Sequence, residues 1–142
     1  MSINQFNKLR KGMKELNFLV IDSSSTSRKI IVNCLKKMDC NNIIEATDGL
    51  DALGKMYTEN INFIITEWIM PKMNGLEFVK VIKMELGIKD IPILMITERS
   101  GKSDIIEALK AGVDNFITKP FTPMILKEKI NIILKKHFNN KA

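Results

Sequence analysis

The sequence predicts an α/β domain: a parallel sheet covered by helices on both faces. Two patterns carry that prediction. Short apolar, β-branched runs alternate five times with segments of helical period, at intervals of roughly 20–25 residues. Most of these runs also end on a polar residue, as strands do when an open parallel sheet delivers its ligand groups to one edge. Right-handed crossovers then place helices above and below the sheet.

Taken in order, residues 3–16 have the spacing of a short amphipathic helix, with Ile3, Phe6, Leu9 and Met13 recurring between bases. This stretch precedes the regular alternation and reads as an extension. Asn17–Asp22 is the first strand. Ser23-Ser24-Ser25-Thr26 supplies helix N-caps, and a helix over Ser27–Met38 turns Ile30, Ile31, Cys34, Leu35 and Met38 inward. Asn41-Asn42 leads into a second strand, Ile43–Ala46. Thr47 or Asp48 then caps a helix over 49–58, with Leu50, Leu53, Met56 and Tyr57 facing in. The third strand opens at Phe63 and ends on Glu67. Pro71 and Gly75 bracket a turn into a helix over 75–86, which Gly87 stops. Ile91–Thr97 is the fourth strand, with Pro92 tolerated near its start. Lys102–Ala111 is a helix ended by Gly112, Val113–Thr118 the fifth strand and Pro123–Phe138 the last helix.

With 142 residues, 45% of them hydrophobic and 27% charged, the chain makes one domain with a substantial core. Its apolar runs are far shorter than the roughly 20 residues a membrane-spanning helix needs. Phe18-Leu19-Val20-Ile21 is too short for a signal-peptide core, so a cytoplasmic location is expected. Cys34 and Cys40 lack metal-ligand spacing and read as reduced thiols, at least one of them in the core. His137, near the end of the last helix, reads as a solvated residue. The formal charge of +6 comes from the ends, because residues 17–126 hold 13 basic and 14 acidic groups. Basic ends could meet an acidic protein, nucleic acid or an anionic membrane, or simply be solvated. Few aromatics lie near them, so no nucleic-acid partner is expected.

Asp22, Glu67, Thr97 and Lys119 follow four of the strands and should converge on one edge of the sheet. Two carboxylates for a cation, a hydroxyl and an ammonium for an anion together suit a phosphoryl group held by magnesium. Two other patterns fail on chemistry. Ile96–Ser103 resembles a phosphate-binding P-loop, but Ile96 stands where that loop needs glycine. Asp22–Thr26 resembles the nucleophile loop of haloacid-dehalogenase-like phosphatases, but Ser24 cannot act as the general acid.

Phe18–Asp22, Glu67–Gly75, Met95-Ile96-Thr97 and Thr118-Lys119-Pro120-Phe121 jointly resemble the response-regulator receiver family, in its single-domain chemotaxis form. The resemblance covers residues 17–138, leaving 1–16 as a basic extension and 139–142 as a tail. It implies a flavodoxin-like (βα)5 sheet in the order 2-1-3-4-5 and a cis Lys119–Pro120 bond. The chain is then a signalling module, not an enzyme.

In such receivers an acid pair after the first strand and an aspartate after the third hold magnesium, and that aspartate accepts phosphate from a histidine kinase. Here the metal positions fall at Asp22, Ser23, Glu67 and Ile69. The phosphoryl-contact and switch positions fall at Thr97, Lys119 and Phe116. The chain departs from the family pattern twice, with Ser23 in place of the second acid and Glu67 in place of the phosphoaccepting aspartate. Asp22, Glu67 and Lys119 sum to −1 instead of −2, and the extra methylene shifts the carboxylate by about 1.5 Å. Magnesium binding should therefore be weakened, no other cofactor is expected, and ordinary aspartyl phosphorylation should be lost. Glu67 either mimics the phosphorylated state imperfectly or forms a plain ion pair with Lys119. A still phosphorylatable switch using magnesium and a basic nucleic-acid or membrane-surface binding module are the alternatives. The expected partner is a protein, such as a flagellar motor switch component or a kinase, docking on a monomer at the face made by the fourth and fifth helices and the fifth strand.

Overall fold

The structure, a computed structural model, describes residues 3–4 and 12–141, with side chains up to His137. Five strands, β1 (Asn17–Ile21), β2 (Asn42–Ala46), β3 (Phe63–Thr66), β4 (Ile93–Thr97) and β5 (Asn115–Thr118), pair in parallel in the order β2-β1-β3-β4-β5. Between and after them run α1 (Ser25–Lys37), α2 (Gly49–Thr58), α3 (Gly75–Lys80), α4 (Lys102–Ala111) and α5 (Pro123–Lys141). This is the predicted flavodoxin-like arrangement. Order reverses at β1 and β3, so the mouths of these two strands flank the crevice where such sheets place their sites.

Alternation along the central strands divides the core in two. Phe18, Val20, Phe63, Ile65, Leu94 and Ile96 meet α1 and α5, with the Phe18 and Phe63 rings 5.1 Å apart. Leu19, Ile21, Ile64, Ile93 and Met95 face the opposite way, onto α2, α3 and α4. Both faces are dry, which is why these strands read as unbroken apolar runs. Met13, from the extension, is buried in the first of these layers, and the Cys40 thiol donates to its carbonyl at 3.5 Å. Phe6 and Leu9 lie outside the described residues. Both cysteines are free and buried, and burial pushes the Cys40 thiol up to about 11.

Several boundaries move for local reasons. The α1 helix starts at Ser25 because Ser24 is its N-cap, accepting the Ser27 N–H at 3.2 Å. The β5 strand starts only at Asn115, since Val113 N–H closes α4 onto the Ala108 carbonyl and the Asp114 carboxylate takes the Ile93 N–H at 2.7 Å. Gly112, at φ 115°, makes the left-handed exit from α4. The third helix relaxes into a π-helical turn over Val81–Glu85, whose Lys83 reaches the carbonyls of Lys89 and Ile91. Three inward assignments were wrong. Ile30 (50% exposed), Leu50 (51%) and Tyr57 (76%) point to solvent, and Ala52 takes the contact under α2. Small residues allow α2 to lie close to the sheet, a geometry that hydropathy alone does not encode. His137 is half-buried and borders a cavity of about 280 Å³ with Asp114 and Lys136, at the end of the sheet away from the strand mouths.

Gly75 opens α3 directly over the third strand mouth. Its N–H donates to the Trp68 carbonyl at 2.8 Å, and a Cβ there would fall on the Glu67 carbonyl oxygen. Asn74 and Glu77 close the helix end as a capping box. An ordinary helical glycine gains about 1 kcal/mol on becoming alanine. Here overpacking against backbone, worth about 1–3 kcal/mol or more, should win, so Gly75→Ala is expected to lower stability by roughly 2 kcal/mol in urea denaturation. A stabilised variant would disprove the close approach.

Candidate functional site at the strand mouths

Three main-chain hydrogen bonds carry the ladder one residue beyond the strands and align the site. Asp22 N–H donates to the Ala46 carbonyl (3.1 Å), Glu67 N–H to Ile21 (2.9 Å) and Lys119 N–H to Thr97 (2.9 Å). Ile21 is level with Thr66, so Asp22 and Glu67 leave adjacent strands side by side. The Lys119–Pro120 bond is cis.

The Lys119 ammonium lies between the two acids, 2.7 Å from Glu67 Oε2 and 2.9 Å from Asp22 Oδ2. The remaining oxygens are also engaged. Glu67 Oε1 accepts the N–H groups of Trp68 (2.8 Å) and Ile69 (3.2 Å), and Asp22 Oδ1 accepts the Ser24 N–H (2.9 Å). Both acids are buried, and the lysine side chain is 16% exposed. Burial works against charge on Lys119, but hydrogen bonds and attraction from Glu67 and Asp22 outweigh it and raise the pKa.

The site residues named from sequence thus divide in two. Asp22, Glu67 and Lys119 are brought together. Thr97 is fully buried at the neighbouring mouth, but its Oγ1 accepts the Arg99 N–H at 3.3 Å and makes no hydrogen bond with Glu67. Ser23 is exposed and contributes no second acid, and the Ile69 side chain is 60% exposed. Phe116 is half-buried against the α2–α4 side of the core. Among the described residues no three His, Cys, Asp or Glu side chains gather into a metal-holding group.

Sequence reasoning missed Arg99. Its guanidinium stacks 4.1 Å over the buried Trp68 ring and pairs with Asp104 at 2.7 Å in the first turn of α4. The available signal was an acid in a helix's first turn, five residues after an arginine. Nothing in the linear pattern connects that arginine with Trp68.

A doubly wound sheet with acid, hydroxyl and lysine at its mouths defines a receiver, and this chain belongs to the response regulator receiver domain family, whose model matches residues 18–131. Over 120 residues it is 46% identical to chemotaxis protein CheY1 of Helicobacter pylori, covering 84% of this chain and 97% of that one. The chemotaxis protein CheY homolog of Campylobacter jejuni is equally similar, with 92% of its length covered. Among solved structures, chemotaxis protein CheY4 of Vibrio cholerae superposes with a TM-score of 0.76 at 30% identity, over 83% of this chain and 98% of that one.

Removing the lysine would leave two neighbouring carboxylates uncompensated. Lys119→Met is expected to cost about 3 kcal/mol of stability near neutral pH, as loss of one partner of a buried pair usually does. A further Glu67→Gln change should restore part of it. Because the folded pKa of Lys119 is raised, its contribution is fully present below the ordinary lysine value of about 10.4 and is lost as pH rises through the higher folded value. Urea midpoints of the natural protein and Lys119→Met should therefore differ constantly from about pH 7 to 9 and converge only above that ordinary value. Convergence near neutral pH would contradict the bridge.

Proposed function

We propose that this protein is a single-domain, chemotaxis-type receiver that signals by protein–protein interaction without ordinary aspartyl phosphorylation. The observation that carries this reading is the closed pocket: each carboxylate oxygen of Asp22 and Glu67 is already held by Lys119 or by a backbone N–H. A phosphoryl group or a magnesium ion would have to displace these donors. Their reward would be a site of net charge −1 with Ser23 where a second acid would help, so magnesium is held weakly. In-line transfer also suffers from the altered reach of Glu67, since positioning supplies most of its rate.

Glu67 already engages the lysine that would contact a transferred phosphoryl group, but it leaves Thr97 to Arg99. The pocket is therefore pre-neutralised without drawing in the hydroxyl, closer to a standing ion pair than to a full phosphate mimic. The chemotaxis assignment rests on the two relatives at 46% identity. A protein partner is supported at the edge strand β5, where Ile106 and Leu109 of α4 and Ile125 and Ile132 of α5 stand exposed on either side of it. Exposed apolar side chains of this kind suit a docking protein, and Phe116 is half-buried on the strand between the two helices.

Treatment with acetyl phosphate and magnesium, followed by intact mass measurement, should leave the natural chain unmodified. The Ser23→Asp, Glu67→Asp double variant should take up one phosphoryl group under the same conditions, and beryllofluoride should change its Trp68 fluorescence but not that of the natural protein. A stable acyl phosphate on the natural chain would instead establish a working phosphorylation switch.

A further inference from the structure

Positive charge is sorted by face of the sheet as well as by position along the chain. The α1 and α5 helices lie on one face and together carry nine bases and a single acid, Glu128. On the other face, α2, α4 and α3 with its π-helical turn each balance bases and acids equally. Arg28 is committed to Glu45 and to the Asp22 carbonyl. The lysines are not: Lys29, Lys36, Lys37, Lys127 and Lys135 are exposed, and their side chains form no ion pair or hydrogen bond among the described residues. Nearby acids are few, since Asp39 pairs with Lys14 and Glu45 with Arg28.

We propose that the α1–α5 face adsorbs to an anionic membrane surface. The type of cation decides between occupants. Protein interfaces favour Arg and aromatic side chains and are depleted in Lys, whereas this face presents lysines and, among its described residues, no exposed Phe, Tyr or Trp. Base stacking on single-stranded nucleic acid needs aromatics as well. A second copy of the chain offers no acidic helix face to match. Point-like ammonium groups spread over two helices suit a diffuse layer of phosphate headgroups. Ile30 (50% exposed) and Met124 (78%) on the same helices give apolar side chains that can enter the headgroup region. Adsorption does not depend on the chemistry at Glu67.

The test is co-sedimentation of the full chain with phosphatidylcholine vesicles, with and without about a third phosphatidylglycerol, across a salt series. Each lysine near such a surface is worth about fivefold in binding. Binding to anionic vesicles should therefore fade with salt and fall at least ~100-fold in Lys29→Glu, Lys36→Glu, Lys135→Glu. The control Lys55→Glu, Lys110→Glu, on the opposite face, should bind as the natural chain does. Thermal melts of both variants show that each is folded. No pelleting, equal pelleting with neutral vesicles, or equal loss in the control would overturn the proposal. So would tighter binding to a random DNA duplex than to anionic vesicles at the same salt.

Discussion

One ammonium group joins chain segments that lie far apart in sequence. Lys119 leaves the last strand, yet its charge lies between acids delivered by the first and third, and both contacts are short enough to be strong charge-assisted hydrogen bonds. Little can be changed there independently. The acids are buried and adjacent, so without the lysine two negative charges would face each other uncompensated. The fold provides the means to hold them together. Parallel pairing continues for one residue past each strand end, and these last backbone hydrogen bonds set the three side chains at a common height.

That arrangement also decides how the acid at the third strand mouth is held. Here two backbone amides and the lysine already hold the Glu67 carboxylate. Backbone amides that follow a strand end cannot withdraw without disturbing the loop into α3.

Much of this was legible in the sequence. The dry central strands were unmistakable because both faces of a parallel sheet are covered, and the polar residues ending them marked the site edge. Helix faces were less secure. Leu50 and Tyr57 of α2 seemed inward by hydropathy, but alanine and glycine set the contact distance there. Boundaries such as the start of β5 depended on side-chain caps like Asp114, which local propensity does not reveal. At the site, Asp22, Glu67 and Lys119 could be found because each ends its own strand. Arg99 could not, since its partners Trp68 and Asp104 come from different loops and helices. The sorting of lysines by face was equally hidden, because α1 and α5 are nearly a hundred residues apart and only the winding of the sheet makes them neighbours.

The backbone around Glu67 is fastened on every side: its N–H to Ile21, its carbonyl to the Thr66 hydroxyl, with Gly75 packed against that same oxygen. An acidic residue of either length can therefore occupy the position without moving the main chain. Aspartate and glutamate codons differ by a single nucleotide, so the length of the acid at this strand mouth can change in one mutational step. The main-chain fastening would survive such a change, while the bonds of the carboxylate itself to Lys119 and to the Trp68 and Ile69 N–H groups would have to be remade.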